Sequence, residues 1–350
     1  MTMGDTEPDD FHYRRYDAPR PRAFGLALVG FAALVCVLPL VAPPRRAIPI
    51  DAVAPPLSAP PLSAPVLAST TPATSTAAHA TSTLPPVVLM HGMGDAGTSE
   101  GMRSVAEAIR QAFPGRHVVS LDVANGMDSA LVTMDAQVAA IAAAVAADKR
   151  LAGGFDAVGL SQGALLMRAF VERHGGDYKV RKLFSLCGPQ EGIGRCPQVA
   201  MYQALCPVFE MDPYGAEVPI AFSGYWKDVR DEKAYLEHNH FLPDVNNERP
   251  RRNETYRENM LALEAYVLVH ATADSMIVPR ESELHGFFAW GDTTGRKIVP
   301  MEASDGYATD AIGLKTLAES GRLHRRSFDG DHLQFNRSFL EEQVLPLLGL

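Results

Sequence analysis

The pentapeptide Gly-Leu-Ser-Gln-Gly at Gly159–Gly163 constrains the fold of this chain more than any other feature. The residues Phe155–Val158 before it read as a short buried strand, and Leu165–Phe170 after it carry apolar residues at helical spacing. A strand that turns this sharply into a helix needs small residues on both sides of the serine. Ser161 would then be strained, with its Oγ exposed above the edge of a sheet. The alternative, a serine in an ordinary turn between a strand and a helix, has to be tested against the rest of the chain.

Short apolar strands alternate with helical patterns from about residue 85 onward. The predicted strands are Val87–Met90, His117–Val123, Phe155–Val158, Lys182–Leu186, Ala265–His270 and Leu323–Phe328. Apolar strands separated by helices indicate an α/β fold, with a mostly parallel sheet and helices on both faces. Ligands bind such sheets at the carboxyl ends of the strands. The alternation stops at Pro189–Glu258, and this segment is interpreted as an insertion or cap. Its aromatic residues are expected to form a small core of their own, in preference to the alternative that they line a ligand site.

A catalytic base and its orienting carboxylate can be assigned from chain order. A serine hydroxyl becomes a nucleophile when a base removes its proton and a carboxylate orients that base. In a sheet of this kind the order along the chain is Ser, then Asp or Glu, then His. Asp274 follows a late strand and His332 lies in the loop after the last strand, so a triad of these two residues with Ser161 is predicted. Other acidic residues lie in polar, turn-like sequence and are expected to be solvated: Asp292, Asp305 and Asp331.

Acyl transfer at such a serine also requires hydrogen-bond donors for the developing oxyanion. The backbone N–H of Gln162, which follows the nucleophile, is one expected donor. The second is expected from the loop after the first strand, where Gly92 and Gly94 flank Met93 and allow the backbone to come close. His91 opens this loop, and its backbone turn is expected to matter more than its imidazole.

Composition and motifs exclude several other classes of function. The formal net charge is −9, and no basic run is interleaved with aromatic residues, so nucleic acid is not expected as a partner. The sequence contains no Gly-x-Gly-x-x-Gly motif, no P-loop motif and no Cys/His cluster with zinc spacing. We therefore expect chemistry carried by side chains, with no cofactor and no metal.

The N-terminal part of the chain precedes the predicted domain, which spans 85–350. Ala23–Ala42 is an uncharged apolar segment of roughly 30 Å as a helix, enough to span a bilayer core. Arginines are more frequent before it than after it, which places residues 1–22 in the cytosol. Proline spoils the nearest cleavage sites, so a signal anchor is favoured over a cleaved signal peptide. Residues 43–84 are rich in Pro, Ala, Ser and Thr and are expected to form a disordered stalk.

Cysteines and glycosylation sequons indicate whether the predicted domain lies in the lumen of the secretory pathway. One of the four cysteines lies in the apolar N-terminal segment, and Cys187 has apolar neighbours and is expected to be buried. Cys196 and Cys206 are closely spaced and could close a small disulfide loop if the domain is lumenal. Two sequons, at Asn253 and Asn336, are compatible with lumenal glycosylation.

Several segments together carry a resemblance that is far more specific than the pentapeptide alone. They are His91–Asp95, Gly159–Gly163, Cys187–Gly192, Tyr225–Trp226, Phe241–Arg249, Asn253–Thr255, Asp274–Ser275 and Gly330–Gln334. With them, residues 85–350 resemble the palmitoyl-protein thioesterases, lysosomal α/β-hydrolases that remove long fatty acyl groups from cysteines of lipidated proteins. The resemblance implies that Ser161, Asp274 and His332 form the triad and that Met93 and Gln162 donate to the oxyanion.

The resemblance also bears on the cap and on the compartment. It implies that the segment after Gly188 helps to form an apolar acyl groove, that Cys196 and Cys206 form a disulfide, and that Asn253 is glycosylated. The resemblance gives no support for glycosylation at Asn336. The mammalian members carry further cysteines, a cleaved signal peptide and no long stalk. The expected location is the lumen of the endomembrane system, the lysosome in particular, with attachment to the membrane through the N-terminal anchor.

The expected substrates are S-acylated proteins or peptides and other long-chain acyl thioesters. Two alternatives stay open at this point. The same triad would serve an acyl-CoA thioesterase or a lipid esterase, and a hydrolase fold can also be a non-catalytic binding protein.

Overall fold

The computed structural model describes residues 84–197, 206–207, 212–214 and 220–350. The strands are β1 (Val87–Met90), β2 (Val118–Ser120), β3 (Phe155–Leu160), β4 (Val180–Leu186), β5 (Ala265–Ala271), β6 (Phe287–Phe288), β7 (Ile298–Val299) and β8 (Leu323–Phe328). The helices are α1 (Glu100–Ala112), α2 (Asp128–Leu131), α3 (Met134–Ala147), α4 (Gln162–Tyr178), α5 (Ala221–Gly224), α6 (Glu232–His238), α7 (Leu242–Val245), α8 (Glu254–Leu261), α9 (Asp305–Ala308), α10 (Leu314–Glu319), α11 (Arg337–Phe339) and α12 (Leu345–Gly349). Shorter turns of 3₁₀ helix lie at Lys149–Leu151, Arg280–Leu284 and Met301–Ala303, and a π-helical turn lies at Leu340–Val344.

The main sheet has six strands in the order β2-β1-β3-β4-β5-β8, and every neighbouring pair is parallel. The predicted parallel sheet is therefore confirmed. Strand β2 is shorter than the predicted His117–Val123. Strands β6 and β7 form a separate antiparallel pair that was not predicted. Two residues per strand are too few to produce a recognisable period in the sequence.

Apolar side chains cover both faces of this sheet. Successive residues of a strand point to opposite faces. In β1, Val88 and Met90 pack into one core together with α3 and α4, whereas Val87 and Leu89 pack into a second core together with α1 and α12. The predicted arrangement of helices on both faces is confirmed. The layers hold the sheet firmly, so the loops at its carboxyl edge start from fixed positions.

The predicted cap contains short helices and no further strand of the main sheet among its described residues. Its aromatic residues Phe222, Tyr225, Trp226 and Phe241 pack in the same core as α3 and α4. The prediction that they form a small core of their own was wrong. A short, loop-rich segment buries more apolar surface against an existing core than it can bury within itself.

No helix within the described ranges has both the length and the apolar character needed to cross a bilayer. The predicted signal anchor at Ala23–Ala42 lies outside the described residues, as do the N-terminal tail and the stalk up to residue 83.

Candidate active site

The serine of the pentapeptide lies between the end of β3 and the start of α4. Ser161 has φ 54° and ψ −129°, a conformation that costs an L-residue about 1–3 kcal/mol. The Ser161 N–H donates to the carbonyl of Leu186 at 2.8 Å, which holds the turn against β4. Gly163 packs so closely that a Cβ there would lie 2.3 Å from the carbonyl oxygen of His91. Helix α4 therefore begins directly against the end of β1, and the strained turn is kept in place from two sides.

Ser161, His332 and Asp274 form one continuous hydrogen-bonded chain at the carboxyl edge of the sheet. The Ser161 Oγ lies 2.9 Å from Nε2 of His332, and Nδ1 of His332 lies 2.6 Å from Oδ2 of Asp274. The second carboxylate oxygen of Asp274 accepts from the backbone N–H groups of Met276 at 2.7 Å and Ile277 at 2.8 Å. The loops after β3, β5 and β8 thus bring together the three residues that chain order predicted as a triad.

The groups around the Asp274 carboxylate favour its ionised form. Its side chain is fully buried. Burial alone raises the pKa of Asp274, but the charge and hydrogen bond of His332 and the Ile277 N–H outweigh burial and hold that pKa at about 2. Asp274 is therefore ionised at any pH near neutrality, and it can orient the imidazole and stabilise its protonated form.

A second aspartate, Asp331, joins the two loops that carry the base and its carboxylate. Its Oδ1 accepts from the backbone N–H groups of Ser275 and His332, both at 2.7 Å, and its Oδ2 accepts from the Ser275 hydroxyl at 2.9 Å. The expectation that Asp331 is a solvated loop residue was wrong. Its role depends on a contact between loops more than fifty residues apart, which its turn-like sequence could not indicate.

The expected oxyanion donors lie on both sides of the serine. Gly92 approaches it so closely that a Cβ on Gly92 would lie 2.9 Å from Cβ of Ser161, which brings the Met93 backbone next to the nucleophile. Gln162 is the first residue of α4, and the first N–H groups of a helix have no partner within the helix. This arrangement places the backbones of Gly92 and Gln162 directly beside Ser161.

A cap residue holds the side chains of both expected donors. The hydroxyl of Tyr225 donates to Oε1 of Gln162 at 3.0 Å and lies 3.8 Å from the sulfur of Met93. The Gln162 amide also donates to the carbonyl of Ser129 at 2.9 Å. The sequence singled out Tyr225 only as a cap aromatic. Its hydroxyl contacts could not be inferred without knowing that the cap packs on the main core.

Comparison with known proteins identifies the family of a chain with this geometry. Residues 86–332 match the family model described as palmitoyl protein thioesterase. The chain belongs to this family. The parallel sheet, the strained serine after β3 and the order Ser, Asp, His are those of the α/β-hydrolase fold.

Individual members of the thioesterase family align over most of their length. Palmitoyl-protein thioesterase 3 of Dictyostelium discoideum is 38% identical over 245 residues, which cover 69% of this chain and 83% of that protein. Palmitoyl-protein thioesterase 1 of Caenorhabditis elegans is 34% identical over 74% of this chain and 90% of its own length. The human lysosomal thioesterase PPT2 is 29% identical over 75% and 88%. Among solved structures, a mature Bacillus licheniformis lipase is 16% identical, with a TM-score of 0.42 over 76% of this chain and 92% of its own.

The remaining residues predicted for this thioesterase-family chain lie away from the triad or behind it. Cys196 and Cys206 are joined by a disulfide, with their Cα atoms 5.8 Å apart. Asn253 and Asn336 are both exposed, and each caps the N-terminus of a helix. Cys187 is a buried free thiol.

One group of side chains, which includes two members of the triad, has donor types that could hold a metal ion. One ligand atom each from Cys187, Asp274, Glu283 and His332 lies within 4.8 Å of the others. In this structure Asp274 and His332 are hydrogen-bonded to each other, which is the arrangement that acyl transfer uses. Glu283 in this group was not predicted. It lies among charged residues in a turn, where a carboxyl normally faces solvent.

Proposed function

We propose that this chain hydrolyses long-chain fatty acyl thioesters of S-acylated proteins or peptides, with Ser161 as the nucleophile. The observation that carries the proposal is the unbroken hydrogen-bonded chain from Ser161 through His332 to Asp274, in a member of the palmitoyl protein thioesterase family. Met93 and Gln162 are proposed as the oxyanion donors, because their backbones flank the nucleophile.

The proposed reaction has two halves. The Ser161 oxygen attacks the thioester carbonyl carbon while Nε2 of His332 takes the hydroxyl proton, and the carbonyl oxygen becomes an oxyanion. The carbon–sulfur bond then breaks, the imidazolium returns the proton to the departing sulfur, and the acyl group stays on the serine. In the second half, His332 takes a proton from water, the hydroxide attacks the acyl-enzyme, and the fatty acid leaves as Ser161 regains its proton.

Two further elements of the proposal concern the substrate. The segment after Gly188 packs aromatic residues against the main core and is proposed to contribute to an apolar acyl groove. Each methylene group removed from water contributes about 0.8 kcal/mol, so a long groove would favour long chains strongly over short ones. A hydrolase of acyl-CoA or of lipid esters would use the same triad, and the leaving group has to be distinguished by experiment.

The test compares three proteins on four substrates. The wild type, Ser161→Ala and Ser320→Ala are assayed with a palmitoylated peptide, its eight-carbon analogue, palmitoyl-CoA and a lipid ester. Ser320 is exposed and precedes β8 at the opposite edge of the sheet, so it controls for loss of a hydroxyl. We expect Ser161→Ala to lose roughly four to six orders of magnitude in kcat and Ser320→Ala to match the wild type. A Ser161→Ala enzyme with wild-type turnover would refute the nucleophile, and faster turnover of the eight-carbon or ester substrate would refute the substrate class.

We further propose that the domain is lumenal and tethered by a signal anchor at Ala23–Ala42, followed by a stalk over residues 43–84. The apolar length of that segment and the arginines before it support the anchor. The name of the human relative, a lysosomal thioesterase, supports the compartment, and the exposed sequons at Asn253 and Asn336 are compatible with glycosylation there.

Alkaline carbonate extraction of the full-length protein tests the tether. We expect the wild type to stay in the membrane pellet, and we expect a matched variant with two leucines of Ala23–Ala42 replaced by arginine to be released or to fail to enter the lumen. Release of the wild type, with an N-terminus that maps to the stalk, would show a cleaved signal instead.

A further inference from the structure

A second carboxyl group is buried directly behind the proposed triad. Glu283 lies in the 3₁₀ turn Arg280–Leu284, and its side chain is completely inaccessible to solvent. Its Oε2 accepts from the backbone N–H of Ala271 at 2.8 Å and lies 2.9 Å from Nδ1 of His270. Its Oε1 is buried and has no hydrogen-bond partner among the residues that the structure describes. A carboxyl oxygen of Glu283 and one of Asp274 lie within 4.8 Å of each other.

Two buried carboxyl groups at this separation cannot both be ionised, and one of them keeps a proton. The surrounding donors decide which one. Asp274 receives hydrogen bonds from His332, Met276 and Ile277, all of which favour its ionised form. Burial first, and then the neighbouring Asp274, raise the pKa of Glu283 well above its usual value.

Among the described residues, His270 is the side chain with a titratable nitrogen that contacts Glu283. Burial lowers the pKa of His270, with Glu281 and Asp274 opposing this and Arg280 adding to it. Burial raises the pKa of the Cys187 thiol, and the carboxyls of Glu283 and Asp274 raise it further. A neutral His270 can donate from Nδ1 to Oε2, and Oε1 then remains as the place for the carboxyl proton.

We propose that Glu283 is a neutral positioning residue whose Oε1–H donates a hydrogen bond to the Asp274 carboxylate and holds it in the orientation that His332 needs. The inference rests on the proposed function of the triad and adds a fourth member to it. The proton satisfies two requirements at once, because it gives the otherwise unpartnered Oε1 a partner and avoids two adjacent buried negative charges.

A pair of substitutions separates this role from general packing. Glu283→Gln keeps the shape of the side chain, the acceptor for the Ala271 N–H and a donor toward Asp274. We therefore expect its kcat to stay within about threefold of the wild-type value and its pH profile to be unchanged. Glu283→Met keeps the approximate volume and removes the donor. We expect it to lower kcat roughly ten- to hundredfold at similar KM, because a hydrogen bond to a charged group is lost. The acid limb of kcat/KM should also move to higher pH, since an Asp274 without that donor stabilises the protonated imidazole more strongly.

A Glu283→Gln enzyme impaired as severely as Glu283→Met would overturn the proposal. So would an acid limb that moves to lower pH in Glu283→Gln, because that shift is the result of removing a negative charge. If Glu283→Met fails to fold, the Gln variant alone still decides through these two readouts.

Difference infrared spectroscopy supplies a readout that needs no catalysis. A protonated buried carboxyl group has a C=O stretching band distinct from that of a carboxylate, and we expect this band in the wild type and in Ser161→Ala but not in Glu283→Gln. Its absence from the wild type at neutral pH would overturn the proposal. Full activity of Ser161→Ala, in contrast, would refute the proposed triad while leaving the protonation of Glu283 as measured.

Discussion

At the carboxyl edge of the sheet, the Asp274 and His332 side chains each contact more than one neighbour. Asp274 accepts hydrogen bonds on both of its oxygens, and Asp331 connects the loops of Asp274 and His332. Such duplication matters because a proton transfer between Ser161 and His332 requires donor and acceptor to stay within hydrogen-bond distance. These contacts hold His332 within hydrogen-bond distance of both Ser161 and Asp274.

The protonation of Glu283 predicts a pH dependence of stability at the residue scale. A carboxyl group with a raised pKa binds its proton in the folded state but loses it in the unfolded state above about pH 5. Its contribution is therefore fully present below the unfolded pKa and is lost as the pH rises toward the folded pKa. Glu283→Gln cannot lose a proton, so its stability relative to the wild type should rise by up to about 1.4 kcal/mol per pH unit between pH 5 and 7.

Denaturant titrations of both proteins at pH 5, 6 and 7 measure this difference. Glu281→Gln is the control for removal of a carboxyl as such, since Glu281 lies in the same turn with its side chain 40% exposed. A stability difference between Glu283→Gln and the wild type that stays constant over this range would mean that Glu283 is ionised in the folded protein.

At the scale of elements, the strands of the main sheet could be predicted, and the two-residue strands β6 and β7 could not. Strands β1 and β8 have the predicted boundaries, and the position of Ser161 between β3 and α4 follows from the pentapeptide. The triad could be paired from chain order because parallel strands bring their carboxyl ends to one edge. Glu283 and Asp331 could not be recognised, because their burial or bridging depends on loops that are distant in sequence and meet only in the folded chain.

The contact between α4 and β1 predicts a large difference between two glycines. Gly163→Ala would place a Cβ 2.3 Å from the His91 carbonyl and 2.4 Å from that of Met90, and neither backbone can move without shifting the first loop. We expect a loss of about 1–3 kcal/mol in stability, together with reduced kcat, because the Met93 backbone would move relative to Ser161. Gly153→Ala is the control, since a Cβ there meets no atom of the described residues within 4 Å. Urea unfolding and steady-state assays of both variants test this, and equal behaviour would contradict the proposed packing constraint.

At the scale of the whole molecule, one buried ion pair joins distant parts of the chain at the edge of the sheet opposite the active site. The Arg116 guanidinium bonds to the carboxylate of Asp156, which lies near the start of β3, and both side chains are fully buried. The same guanidinium donates to the carbonyls of Pro85 at 2.6 Å and Leu348 at 3.2 Å. It therefore connects the first residues of the folded domain, the middle of the sheet and the last helix.

Loss of this connection should affect stability without affecting the chemistry. Arg116→Met leaves the buried Asp156 carboxyl without its ion-pair partner, and breaking a buried pair in this way typically costs about 3–5 kcal/mol. The double variant Arg116→Met/Asp156→Leu should recover part of this loss, because both charges are then absent.

Arg150→Met is the control, since Arg150 pairs with Asp148 while its side chain is 66% exposed, and such pairs contribute about 0–1 kcal/mol. Denaturation midpoints give the stabilities. Titration of the active site gives the folded fraction, so that turnover per folded molecule can be compared. We expect unchanged turnover per folded molecule in all three variants, because Ser161 lies at the other end of β3. A loss of turnover that exceeds the loss of folded protein would mean that the two edges of the sheet are coupled.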